Sequence, residues 1–199
     1  MKTYIQIGSN VGNDYFYHNL IKPLKEKSKV ILIEPNPNLI QTLNENYQTI
    51  KEFHDINILC KGVVHDKSIN TLYNTDGYDG GLGNVIKRKS FIHNGGILNF
   101  EPILFTELCS LFSITNIEIL YIDTEGYDYT LLDNIDFFKY KIKNVYCEKW
   151  PYENDSSIGV SCKTGQSYFN EVVLPKMNKI YDSFNEIHDG MDTHFFKLK

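Results

Sequence analysis

No two of the four cysteines, Cys60, Cys109, Cys147 and Cys162, stand in a C-x-x-C pair. Metal-ligand spacing is therefore absent, and so scattered a set does not read as a disulfide framework in a chain of 199 residues. Three of the four sit in apolar runs, where a buried free thiol is the ordinary state and a reducing compartment the ordinary setting. No apolar run approaches the roughly 18 residues that a membrane span needs. Met1-Lys2-Thr3 leads directly into apolar Tyr4-Ile5-Gln6-Ile7, so no leader peptide is expected and a cytoplasmic location is. Positive charge is also short, with 20 Lys and Arg against 25 Asp and Glu, a net charge of -5. That balance argues against the broad basic face that nucleic acid or an anionic membrane would require. The cluster Lys87-Arg88-Lys89 is small enough to be ordinary solvated loop charge.

What is present is a core. Hydrophobic residues make up 42% of the chain, with 14 Tyr and 12 Phe, which suits one folded domain over residues 1–199. Strands and helices alternate along it. Residues 4–7 read as a strand ending at Gly8, and 14–27 as a helix with Phe16, Leu20, Ile21 and Leu24 on one face and Pro23 inside it, able to kink it or end it early. A strand over 30–34 closes on Glu34 before Pro35-Asn36-Pro37, and a helix over 38–46 follows. Residues 56–64 read as a single third strand. After a possible strand at 69–73 come the glycine-rich segment 76–83 and a Gly95-Gly96 turn, the most irregular stretch of the chain. Alternation resumes with a helix at 104–112, a strand at 117–123, a short helix at 129–134 and a strand at 144–148. A polar loop at 153–164, a helix at 166–174 and a β-hairpin pairing 179–188 with 193–198 complete the chain. Continuous apolar strands suggest a parallel sheet covered on both faces, and the βα alternation a doubly wound one. The terminal hairpin would add antiparallel strands to it. No repeat or linker is visible, and oligomeric state is left open.

In an open α/β sheet, ligands bind beyond the carboxyl ends of the strands. Four such ends carry suggestive residues. Gly8-Ser9-Asn10-Val11-Gly12 can bring backbone close to a ligand, and the helix after it offers free N–H groups; alone, it is also a plain βα turn. Glu34 can accept hydrogen bonds from ribose hydroxyls, or be a solvated strand-end acid. Asp123-Thr124-Glu125-Gly126 places two carboxylates at a strand end, where Asp123 or Thr124 could equally cap the next segment. Glu148 stands at the tip of the following strand, with Trp150 just beyond it. Glycine turn, helix and acid-tipped strand in succession point to a nucleoside-binding unit.

The stretches Ile5-Gln6-Ile7-Gly8-Ser9-Asn10-Val11-Gly12, Ile33-Glu34-Pro35-Asn36-Pro37 and Leu120-Tyr121-Ile122-Asp123-Thr124-Glu125-Gly126-Tyr127-Asp128 together resemble the FkbM family of S-adenosylmethionine-dependent methyltransferases. The resemblance covers roughly residues 4–150 and departs from the family pattern at Tyr121, where lysine is common. It implies a Rossmann-like class I methyltransferase fold, doubly wound and mostly parallel with a C-terminal antiparallel hairpin. It also implies that Gly8, Ser9, Asn10 and Gly12 hold the methionine end of S-adenosylmethionine. Glu34, with Pro35 and Asn36, would hold the ribose, and Lys61 and Gly62 would lie at the adenine edge. The acceptor implied is a hydroxyl of a sugar, a glycan or another small molecule. Asp123 is the first candidate for the group that removes the hydroxyl proton or contacts the cofactor, and Glu125 the second. A divalent metal on these carboxylates is an alternative, although no metal ligand set is assigned. His65, His93, His188 and His194 lie in or beside candidate loops as weaker candidates. The rival readings are an NAD-dependent oxidoreductase, which lacks its G-x-G-x-x-G turn here, and a non-catalytic nucleoside-binding module of the same fold.

Overall fold

The structure is a computed structural model, and it describes residues 1–74, 83–84, 97–149, 166–187 and 192–199. Its first elements are β1 (Thr3–Ile7), a π-helical turn at Phe16–Ile21, β2 (Lys29–Ile33), α1 (Pro37–Asn46) and β3 (Asp55–Leu59). Four short strands follow: β4 (Gly62–Val64), β5 (Thr71–Asn74), β6 (Gly83–Asn84) and β7 (Ile97–Asn99). Next come β8 (Pro102–Leu104), α2 (Phe105–Leu111), β9 (Ile117–Ile122), α3 (Asp128–Asn134) and β10 (Ile142–Glu148). The last are α4 (Gln166–Tyr168), α5 (Leu174–Ile180), β11 (Tyr181–Ile187) and β12 (Asp192–Leu198).

Seven strands form the central sheet in the order β11-β12-β10-β9-β1-β2-β3. β1, β2, β3, β9 and β10 run parallel to one another, whereas β12 is antiparallel to both β10 and β11. Strand order reverses at β1, which has β2 on one side and β9 on the other, and this is where a doubly wound sheet opens a crevice. Period-two alternation divides the core between two faces. Ile5, Ile7, Ile31, Ile33, Leu120 and Ile122 pack toward α2 and α3 on one face. Tyr4, Val30, Leu32 and Tyr121 pack toward the π-helical turn and α1 on the other. Burial on both sides is why these strands are continuously apolar.

Local chemistry sets the element ends. The Asn36 side chain accepts from the Asn38 amide at 3.0 Å and Pro37 opens α1, so the helix starts where its free N–H groups are capped. The helix expected over 14–27 contracts to the turn Phe16–Ile21, because Pro23 has no N–H to continue it. Phe16, Tyr17 and Ile21 are buried there, and the Lys22 amide reaches back five residues to the Tyr17 carbonyl at 2.8 Å.

The single strand expected over 56–64 is two strands. β3 stays beside β2, while β4 leaves the sheet and pairs with β8, its Gly62 amide bonded to the Glu101 carbonyl at 2.9 Å. Periodicity hid the break because the chain is apolar on both sides of Cys60-Lys61. The helix expected over 166–174 runs on to Ile180 with Pro175 in the first turn of α5, where proline is tolerated. β11 accordingly begins at Tyr181. Residues 76–82, Lys87-Arg88-Lys89, His93, Gly95-Gly96, Trp150, the loop 153–164, Cys162 and His188 lie outside the described residues. No helix among the described residues is long and apolar enough to cross a membrane.

Candidate active site

The carboxyl ends of β1, β2 and β9 meet around one cleft. After β1, the amides of Gly8 and Ser9 both donate to the Ile33 carbonyl at 3.0 Å, stitching the glycine turn to β2. Gly8 has φ of +83°, and a Cβ there would lie 1.8 Å from the Asp123 carbonyl oxygen. The turn therefore passes directly against the end of β9, and only glycine fits. Asn10 follows in the left-handed region, with φ of 46°.

That conformation turns the Asn10 amide onto Glu34, whose Oε2 accepts it at 2.8 Å, while Oε1 accepts the Asn36 amide at 2.8 Å. The carboxylate is 6% exposed and both its oxygens are held by backbone. Burial raises its pKa and the Asn36 and Asn10 amides oppose the rise, so the charged form has partners built for it.

The cleft, about 740 Å³ with its open mouth included, has a polar lip and an apolar wall. Gly8, Asn10, Glu34, Pro35, Asn36, Lys61, Gly62, Asp123 and Glu125 all line it, so nearly every residue singled out from the sequence converges here. Ser9 and Gly12 do not line it. Ser9 is fully buried, donates to the Gln6 carbonyl at 3.3 Å and accepts from the Ile33 amide at 3.1 Å. Gly12 has φ of +67°, and a Cβ on it would meet Leu43 at 2.5 Å and Tyr47 at 2.6 Å. Both residues shape the turn and seat it on α1. Lys61 is ion-paired with Glu101 at the rim. Ile7, Ile33, Thr124 and Tyr127, which lie within the stretches already singled out, and Leu39, Val63, Leu72 and Phe100 complete the lining; nothing in the residue types or spacing of the last four marks them in the sequence.

Acids crowd the other side. Asp128, 1% exposed, organises the Asp-Thr-Glu-Gly turn. Its Oδ2 accepts from the Thr124 amide at 3.2 Å, the Thr124 hydroxyl at 2.8 Å and the Gly126 amide at 3.3 Å. Its Oδ1 accepts from the Glu148 amide at 3.2 Å, which ties the end of β10 to the same turn. Asp123 is half-buried, and burial, followed by the charges of Asp128, Glu125, Asp192 and Asp14, lifts its carboxyl well above the usual range. Glu148 is raised by burial and then by Asp128 and Asp123, and its Oε2 is buried with no hydrogen-bond partner among the described residues. The Tyr121 hydroxyl donates to Asp192 Oδ2 at 3.4 Å, so the aromatic residue at this position also faces an acid.

His65 contacts Tyr127 beside the cleft. His194 is stacked on Tyr146 with ring centroids 4.0 Å apart, and burial lowers its pKa to about 4, so it serves the sheet face rather than the cleft. Among the described residues, no group of three or more His, Cys, Asp or Glu side chains is placed to hold a metal ion.

A mostly parallel seven-stranded sheet with an antiparallel strand inserted near one edge, and a cleft at the β1 switch point, define a Rossmann-like methyltransferase fold. The model of the methyltransferase FkbM domain matches residues 6–189, and the chain belongs to that methyltransferase family. No curated protein and no solved structure matches the chain.

Proposed function

We propose that this chain transfers the methyl group of S-adenosylmethionine to a hydroxyl of a sugar, a glycan or another small molecule. The anchoring of Glu34 supports the cofactor most directly. Each of its oxygens accepts one backbone N–H and keeps further acceptor capacity, and the carboxylate stands at the tip of β2 in the cleft lining. That is the arrangement for receiving two neighbouring ribose hydroxyls.

The remaining lining fits the same ligand. Gly8 and Asn10 bring backbone to its amino-acid end, and Pro35 and Asn36 flank the ribose. Leu39, Val63, Leu72 and Phe100 offer an apolar wall to a flat base, with Lys61 and Gly62 at its edge. When bound, S-adenosylmethionine supplies a methyl group already activated by its sulfonium. The chain then has to orient the acceptor oxygen and remove its proton. Asp123 is assigned that proton, with Glu125 beside it at the same lip. A carboxyl raised by burial and then by neighbouring acids is a stronger base than a solvated one, and positive charge entering the cleft favours its ionised form. We place this activity in the cytoplasm, a reading supported by the free thiols of Cys60, Cys109 and Cys147.

Calorimetry with S-adenosylhomocysteine and with NAD tests the cofactor, and labelled-methyl transfer to a panel of sugar and small-molecule hydroxyls tests the reaction. Binding of S-adenosylhomocysteine and transfer to a hydroxyl are expected. Transfer to amines alone would overturn the assignment of O-methylation, and binding without any turnover would leave a nucleoside-binding module.

A further inference from the structure

His65 lies outside the cleft lining, directly after β4, yet it reaches a residue that is part of that lining. Tyr127 is 2% exposed, follows the Asp-Thr-Glu-Gly turn and lines the cleft. Its hydroxyl meets His65 twice, once at the backbone amide, 3.3 Å away, and once at Nδ1. β4, which carries Gly62 and Val63 into the lining, pairs with β8 and belongs to a two-stranded sheet separate from the central one. The His65–Tyr127 contact therefore joins two walls of the cleft that no strand ladder joins among the described residues.

We infer that His65 is a positioning residue: its Nδ1 accepts the hydrogen bond of the Tyr127 hydroxyl, turning that phenol away from the cleft and fixing its ring as wall. The proton count supports this direction. A phenol carries one proton and can also accept, whereas a backbone N–H can only donate. The His65 amide thus donates to the Tyr127 oxygen, and the clamp assigns the phenol proton to Nδ1. The imidazole then carries its own proton on Nε2. A wall fixed in this way keeps a hydroxyl out of an otherwise apolar side built from Val63, Leu72 and Phe100. What that wall receives rests on the cofactor reading above; the clamp itself does not.

The test uses the whole chain with S-adenosylhomocysteine as the probe. His65→Ala is expected to raise Kd by roughly tenfold, the scale of one or two lost hydrogen bonds. His65→Asn, whose Oδ1 can take the place of Nδ1, should restore most of the loss. Tyr127→Phe should weaken binding to a similar degree, and adding His65→Ala to it should cost nothing more. Unchanged affinity in His65→Ala, no rescue by asparagine, or additive losses would each overturn the role. Nitrogen-15 NMR of the ligand-free parent should show His65 protonated at Nε2, with the tautomers mixing in Tyr127→Phe. A parent ring protonated at Nδ1 would overturn the clamp. If the parent fails to bind S-adenosylhomocysteine at all, the cofactor reading falls, and the NMR result alone still decides the clamp.

Discussion

Two acid-bearing strand ends face each other across the cleft, and they are built on contrary principles. At the end of β2, Glu34 has a backbone amide for each oxygen, and those two donors oppose the rise in pKa that burial causes. At the ends of β9 and β10, burial and then the charges of Asp128 and Glu125 raise both Asp123 and Glu148, Asp123 adds to the rise of Glu148, and Asp128 has backbone or hydroxyl donors on both of its oxygens. The first is a preorganised charge, suited to holding a ligand in one place. The second is a concentration of negative charge that a proton or an incoming cation relieves, as suits a group that must change protonation state.

The largest expected effect separates the two ends by what they do. Asp123→Asn should lower turnover by roughly 10²–10⁴, the range for a lost general base, while S-adenosylhomocysteine affinity stays within a few-fold. Near-normal turnover would remove the catalytic role. Loss of affinity together with turnover would instead make Asp123 a cofactor contact, and sensitivity of the parent to chelators would point to a metal. Glu34→Ala should reverse the pattern, weakening S-adenosylhomocysteine binding by about 1.5–3 kcal/mol, the value of a charge-assisted hydrogen bond. Full affinity in a folded Glu34→Ala protein would take that residue out of the site.

A third variant asks whether the glycine turn acts as scaffold or as ligand contact. Gly12→Ala drives a Cβ into Leu43 and Tyr47 from a positive φ, and should cost about 1–3 kcal/mol of stability in thermal or urea unfolding. Affinity of the folded protein should change little. A large affinity loss without destabilisation would return Gly12 to the cofactor site.

The smallest expected effect is on stability against pH. An acid whose folded pKa lies above its unfolded one binds more protons when folded, so folding is favoured at low pH. The Asp123 and Glu148 contribution is therefore fully present below about pH 4 and lost as pH rises through the raised values. His194 acts oppositely, because its lowered pKa of about 4 costs stability as pH falls from about 6.5. Asp123→Asn should raise Tm at neutral pH by roughly 2–4 °C, about 1 kcal/mol at this length, with no gain below pH 4. A Tm that falls at neutral pH would show that the acid is stabilising where it stands.

Much of this was legible in the residues themselves. Continuous apolar runs mark buried parallel strands, and the glycine turn, the acid after β2 and the Asp-Thr-Glu-Gly turn mark the strand ends that meet at the cleft, because each needs a particular residue type at a particular place. Pro23 warned that its helix would end early. The break between β3 and β4 carried no mark, since Ile58 and Val63 are equally apolar whichever sheet they join. Nor did the apolar wall: Leu72 and Phe100 are core-type residues until the chain folds β5 and the β7–β8 segment over the switch point. Residue chemistry was enough to determine the sheet and the acids at its rim. Which side chains face one another was decided only by tertiary structure. The 24 residues that separate the Asn10 amide from Glu34, and the 62 that separate His65 from Tyr127, close through the packing of the whole core and leave no local pattern.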